Sequence, residues 1–263
     1  MAGVLLHWAM GAEEKTDPEN GEYSPSFQRA YLIGLLLPDL AKQGLIDSRE
    51  TLARFFGGCR PEHVPTYEDY LSFCSTHHFN PDPRDPSQQD TRNPKLEAFL
   101  AAGYTDLWHP AWQGAFCHLM GDKAFYYGSF CVEDARAMAD YRREVGELPG
   151  WDGQRWRASK TGRTYYQDYD VLNRRVEEEY GVLDRASRLL DPALLEELLT
   201  AFGVRFSDAR PEPLYMNLEN LKRYIACSRR LNRNLETRGP AEALALFRGN
   251  ALERVFRPID SEE

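Results

Sequence analysis

The stretch Ala115-Phe-Cys-His-Leu-Met-Gly-Asp122 decides how the rest of the chain is read. On a helix, His118 and Asp122 project from one face, about one turn apart. Their neighbours are mostly apolar. A neutral imidazole and a carboxylate placed this way form half of a tetrahedral metal site, or else a buried hydrogen-bonded pair. Both readings need a helix. Pro110 opens it, since proline suits the first helical position, and the apolar pattern carries it to about Phe130. Ala111, Gly114 and Ala115 lie on or near the face of the pair, and such small residues leave room for a second backbone or a ligand. Gly121 interrupts the helix at a cost of about 1 kcal/mol relative to alanine. Cys117 points about 100 degrees away from His118 and reads as a small buried hydrophobe. His109, next to Pro110, belongs to the start of the helix or else to the metal shell.

Working outward, the chain reads as helix almost throughout. Ser24-Pro25 is a helix start, with serine as N-cap and proline at the first helical position. Phe27, Tyr31, Gly34 and Leu35 then share a face. Pro38 disfavours helical angles at Leu37, so a break is expected there. Asp39 follows within the apolar run Tyr31-Leu-Ile-Gly-Leu-Leu-Leu-Pro-Asp-Leu40. A carboxylate buried there needs a partner or a metal, or else caps the next helical turn. Residues 47 to 56 form a short helix capped by Asp47 or Ser48. Another spans 66 to 76, with Tyr67, Tyr70, Leu71 and Cys74 together. Leu190, Leu194, Leu198 and Phe202 recur every four residues, as an amphipathic helix requires. Leu214, Leu218, Leu221 and Ile225 mark another helix, and Leu244, Phe247, Ala251 and Val255 a third. No strand-like alternation persists. These patterns predict an all-α fold, a multi-helix bundle with long loops, in a single domain over 1–263. Residues 1–145 carry the site, and 146–263 supply a loop and buttressing helices.

Two segments cannot be regular structure. Asn80 to Pro94 holds four prolines and many turn formers, which marks a functional rim or lid. Leu148 to Arg163 carries Trp151, Trp156 and four cationic residues. It either binds phosphate or bases or packs its tryptophans onto the domain. Asp168 and Asp170 follow, each able to cap a helix from Val171 or to complete a metal site.

The six histidines are at 7, 63, 77, 78, 109 and 118, and none follows Asp122. In order the chain offers His7, Pro38-Asp39, His77-His78-Phe79 and His118-x-x-x-Asp122. That order and spacing resemble the zinc-dependent phospholipase C superfamily, which includes the single-strand-specific nucleases. His118 and Asp122 match the family's helical His-x-x-x-Asp. Asp39 matches the Asp after the pattern from Gly34 to Pro38, and His7 matches the N-terminal His. His78, or else His77, matches the next His. The phrase Gln167-Asp-Tyr-Asp-Val-Leu-Asn173 is similar to a segment of small bacterial members.

The resemblance implies a zinc-dependent phosphoric ester hydrolase, a phospholipase C-like phosphodiesterase. It also implies a small or lipid-like phosphoester, such as a phospholipid head group, as substrate. Its metal ligands would be His7, Asp39, His77 or His78, His118 and Asp122, with Asp39 catalytic. Asp39, His78, His118 and Asp122 would hold one zinc at about 2.0–2.2 Å. His7 and the second Asp122 oxygen would hold another. The chain departs from the family in lacking a histidine after Asp122, where Tyr126 and Tyr127 stand, and in having Trp8 internal. The family's three-metal cluster thus reduces here to one or two zinc ions. The alternative is a metal-stabilised helical binding protein without catalysis.

Composition narrows the partners. Net charge is −9, from 32 basic and 41 acidic residues, which disfavours long nucleic acid. A metal could still supply local positive charge for a small phosphoester. The hydrophobic fraction of 42% and charged fraction of 28% are ordinary for a globular chain. Five scattered cysteines without a Cys-x-x-Cys argue against a disulfide framework and for a reducing compartment. No basic region or cleavage site accompanies the N-terminal apolar patch, and no apolar run reaches membrane-span length. A cytoplasmic location is therefore expected.

Overall fold

A computed structural model describes residues 3–11, 15, 21, 23–76, 109–127 and 166–208, together with 222, 225, 226 and 229. Among these residues the fold is all-α, with no sheet. The helices are α1 (Val4–Met10), α2 (Pro25–Gly34), α3 (Leu37–Gln43), α4 (Arg49–Phe55) and α5 (Tyr67–Thr76). They continue with α6 (Pro110–Tyr127), α7 (Tyr166–Tyr180), α8 (Val182–Leu189) and α9 (Pro192–Ala201). The expected helices beyond residue 229 and the two loops at 80–94 and 148–163 lie outside the described residues.

Every residue of α1 is buried. That follows from a helix apolar all round apart from His7, since no polar stripe is left to face water. Trp8 Nε1 donates to the Leu32 carbonyl at 3.2 Å, tying α1 to α2. Arg229 secures the other end of α1. Its Nε donates to the Ala9 carbonyl at 2.8 Å, and its guanidinium lies 4.8 Å from the Tyr180 ring centroid. The cation thus sits where the helix leaves its last carbonyls to be satisfied. Helices α7 and α8 pack against α1 as well.

Helix α2 begins as its sequence requires. Ser24 is the N-cap, its Oγ accepting from Phe27 N–H at 3.2 Å, and Pro25 opens the first turn. Phe27, Tyr31, Gly34 and Leu35 are all buried. The break falls at Leu35 and Leu36, where Leu36 N–H turns back to the Ile33 carbonyl at 2.9 Å. Leu37 is not displaced from helical geometry but is the first residue of α3. Pro38 is accommodated because the first turn of a helix has no intrahelical acceptor for its missing N–H. Helix α3 ends in a Schellman arrangement. Gly44 takes φ +65°, Leu45 N–H reaches the Leu40 carbonyl at 3.0 Å, and Gly44 N–H reaches Ala41 at 3.2 Å.

Helix α6 crosses α2 in the most extensive contact between two described helices. Two glycines set its closeness. A Cβ on Gly34 would stand 2.3 Å from the Ala111 carbonyl oxygen, and one on Gly114 would stand 2.4 Å from that of Tyr31. The small residues read from the sequence therefore accommodate a second backbone. In α5, Tyr70 and Phe73 are buried, whereas Leu71 is 51% exposed. Leu71 shares the helical spacing of Tyr67, Tyr70 and Cys74, but the buried arc of α5 is set by Tyr70 and Phe73 and turns away from it.

Helix α4 meets α9 through Arg54 and Glu197, whose guanidinium and carboxylate pair fork to fork, one of the two bonds being 2.7 Å long. The Arg54 hydrogen bond holds the Glu197 carboxyl below its ordinary value of 4.5. A depressed carboxylate stabilises the fold fully above its unfolded value and loses that contribution as pH falls through the lower folded one. Both groups are partly exposed, at 52% and 37%, so the pair is worth at most about 1 kcal/mol. Glu197→Gln should therefore lower stability slightly at pH 7, and the difference should vanish in acid below the folded value. Urea melts at both pH values would check this; an undiminished difference in acid would contradict it.

Candidate metal centre

Three helices deliver three polar side chains to one place in the core. His7 is the fourth residue of α1 and is 0% exposed. Asp39 is the third residue of α3, in its first turn, and is 2% exposed. His118 lies midway along α6 and is 0% exposed. One potential ligand atom from each lies within 4.8 Å of the other two. The bend between α2 and α3 places Asp39 there, and the tight α2–α6 crossing places His118.

The His118 ring is held from behind. Its Nδ1 donates to the main-chain carbonyl of Leu35 at 2.7 Å. A carbonyl only accepts, so Nδ1 carries the hydrogen, and in the neutral ring Nε2 is the nitrogen left with a lone pair. The His7 ring stacks on that of His118, with centroids 3.7 Å apart and planes inclined by 12°. In-plane lone pairs of near-parallel rings do not converge on one point. For both to hold one ion, the stack must open toward the convergent angles of a tetrahedral site.

The donor set suits a transition metal. Two imidazole nitrogens and a carboxylate oxygen match the three-ligand sets of catalytic zinc sites. A divalent cation would also offset the cost of placing a carboxylate in apolar surroundings. The buried group could thus hold a metal ion.

Asp122 lies one turn beyond His118 on α6, and its side chain is outside the described residues. His77 and His78 are likewise outside them. Asp168 and Asp170 lie within α7 (Tyr166–Tyr180), so neither caps a helix starting at Val171. Burial of Tyr169 and Leu172 extends this helix back through a segment of modest helical propensity. Partial burial pushes the Asp170 carboxyl up, opposed by Arg205, and its carboxylate is not in the group of three. His109 is at the start of α6, where its carbonyl accepts from Gln113 N–H at 2.9 Å. His63 is buried elsewhere, with Nδ1 2.8 Å from Ser26 Oγ and its ring edge-on to Phe27. Cys117 is buried, as a small hydrophobe beside the site would be.

The Leu35 carbonyl was not readable from the sequence, because a main-chain acceptor leaves no mark on residue identity. The hint was the helix break expected near Pro38, since a helix end leaves its last carbonyls to be satisfied elsewhere. No helix among the described residues is long and apolar enough to cross a membrane. No family model, curated protein or solved structure matches this chain.

Proposed function

We propose that the chain is a zinc-dependent hydrolase of a small or lipid-like phosphoester, built around His7, Asp39 and His118. The observation that carries this reading is the convergence of two imidazoles and one carboxylate, from three helices far apart in sequence, on one buried point. Zinc bound there would supply Lewis acidity and lower the pKa of a coordinated water toward 7. His7 and His118 would bind the ion through neutral nitrogens. Asp39 would both bind it and accept a proton from the attacking water, the role that the resemblance gives its counterpart. Asp122, one turn along α6, and His77 or His78 are the nominated further ligands. The net charge of −9 favours a small phosphoester over a long nucleic acid.

A second reading is favoured by one observation. The three groups are 0%, 2% and 0% exposed, as in a closed site that stabilises the fold without turnover. Metal analysis of purified protein, followed by a panel of phosphomonoesters and phosphodiesters with added zinc, separates the two. Zinc-dependent hydrolysis is expected. Stoichiometric zinc with no hydrolysis across the panel would replace the enzyme by the metal-stabilised binding protein, and absence of any metal binding would overturn both.

A further inference from the structure

We infer that the main-chain carbonyl of Leu35 is a positioning group for the metal centre, fixing the His118 tautomer, and that the Gly34–Gly114 crossing is what brings it into reach. This rests on the metal-binding reading of the same cluster. Three observations join here. His118 Nδ1 donates to the Leu35 oxygen at 2.7 Å, across 83 positions of sequence. The chain bends out of α2 at Leu35, whose carbonyl stands at the end of that helix, where the backbone ladder leaves acceptors to be satisfied elsewhere. At the crossing, a Cβ on Gly114 would stand 2.6 Å from Leu35 N and 2.4 Å from the Tyr31 oxygen, and one on Gly34 would meet the Ala111 backbone.

The consequence is chemical. Free histidine divides its proton between two nitrogens. A ring locked with Nδ1–H presents only Nε2 to an ion, at the edge of the ring away from Leu35. Such a hydrogen bond also raises the basicity of the ligating nitrogen and fixes the ring plane. His118 sits one helical turn beyond Gly114, so its approach to Leu35 depends on the two backbones touching there. Any side chain at residue 34 or 114 pushes the helices apart and draws Nδ1 away from its acceptor.

The test reads the tautomer and the affinity, not turnover. Nitrogen-15 NMR of metal-free wild-type protein should show His118 protonated at Nδ1 with Nε2 bare. Gly114→Ala should lower zinc affinity by about 10–100-fold, the usual range for loss of a supporting hydrogen bond, and should mix the tautomers. Circular dichroism checks that the variant is folded; if it is not, the wild-type tautomer alone decides. A His118 ring protonated at Nε2, or a folded Gly114→Ala that binds zinc as wild type does, would overturn the inference while leaving the metal site standing. Wild-type protein that binds no zinc would overturn the metal reading and the positioning role together.

Discussion

Stripping zinc from the loaded protein with a chelator is expected to lower its melting temperature by about 10 °C. The magnitude follows from linkage. The proposed ligands come from α1, α3 and α6, so only the folded chain assembles them. A ligand at about a thousand times its dissociation constant adds about 4 kcal/mol to the folded state. In a chain of 263 residues, one kcal/mol moves the midpoint by roughly 2–4 °C.

His118→Ala gives the companion result. It deletes a ligand nitrogen, the bond to Leu35 and the stack on His7. The cavity and the lost bond make the metal-free variant less stable on their own account, by about 2–4 kcal/mol. The decisive quantity is therefore the response to zinc: wild type gains stability on addition, and the variant does not. A melting curve unchanged by chelator, with removal of the metal verified, would mean that the centre does not hold the fold together.

The sequence reached the helices and part of the site by different routes. Helix starts were legible where local chemistry decides them. Ser24 with Pro25 and Pro110 mark α2 and α6, because capping and a fixed proline φ act within a few residues. The side chains of His7, Asp39 and His118 stood out because polar groups in apolar runs are costly unless paired. Decisions made by packing were not legible. Leu71 fits the helical spacing of its neighbours, yet the core lies toward Phe73. The backward extension of α7 rests on burial of Tyr169 and Leu172, not on a cap. Nor could spacing reveal that His7 stacks on His118, since their pairing depends on how α1 and α6 dock.

Under the proposed hydrolase reading, Asp39→Asn is expected to lower turnover by about 10²–10⁴-fold if the residue serves as the proton acceptor. The substitution nearly preserves size, so packing against the apolar residues of α3 and its surroundings changes little. It removes the negative charge that both attracts a cation and takes up a proton. Those two roles separate in measurement. If Asp39 acts mainly as a ligand, the variant loses zinc, and excess metal restores some turnover. If it acts mainly on the proton, the variant keeps its zinc and the chelator-sensitive part of its melting temperature, while kcat falls and no metal concentration rescues it. The site's location sharpens the choice. At 2% exposure, Asp39 has little water around it to take a proton in its place. Retained zinc with lost turnover would assign the proton role to Asp39, whereas unchanged kcat at full zinc occupancy would remove Asp39 from the chemistry.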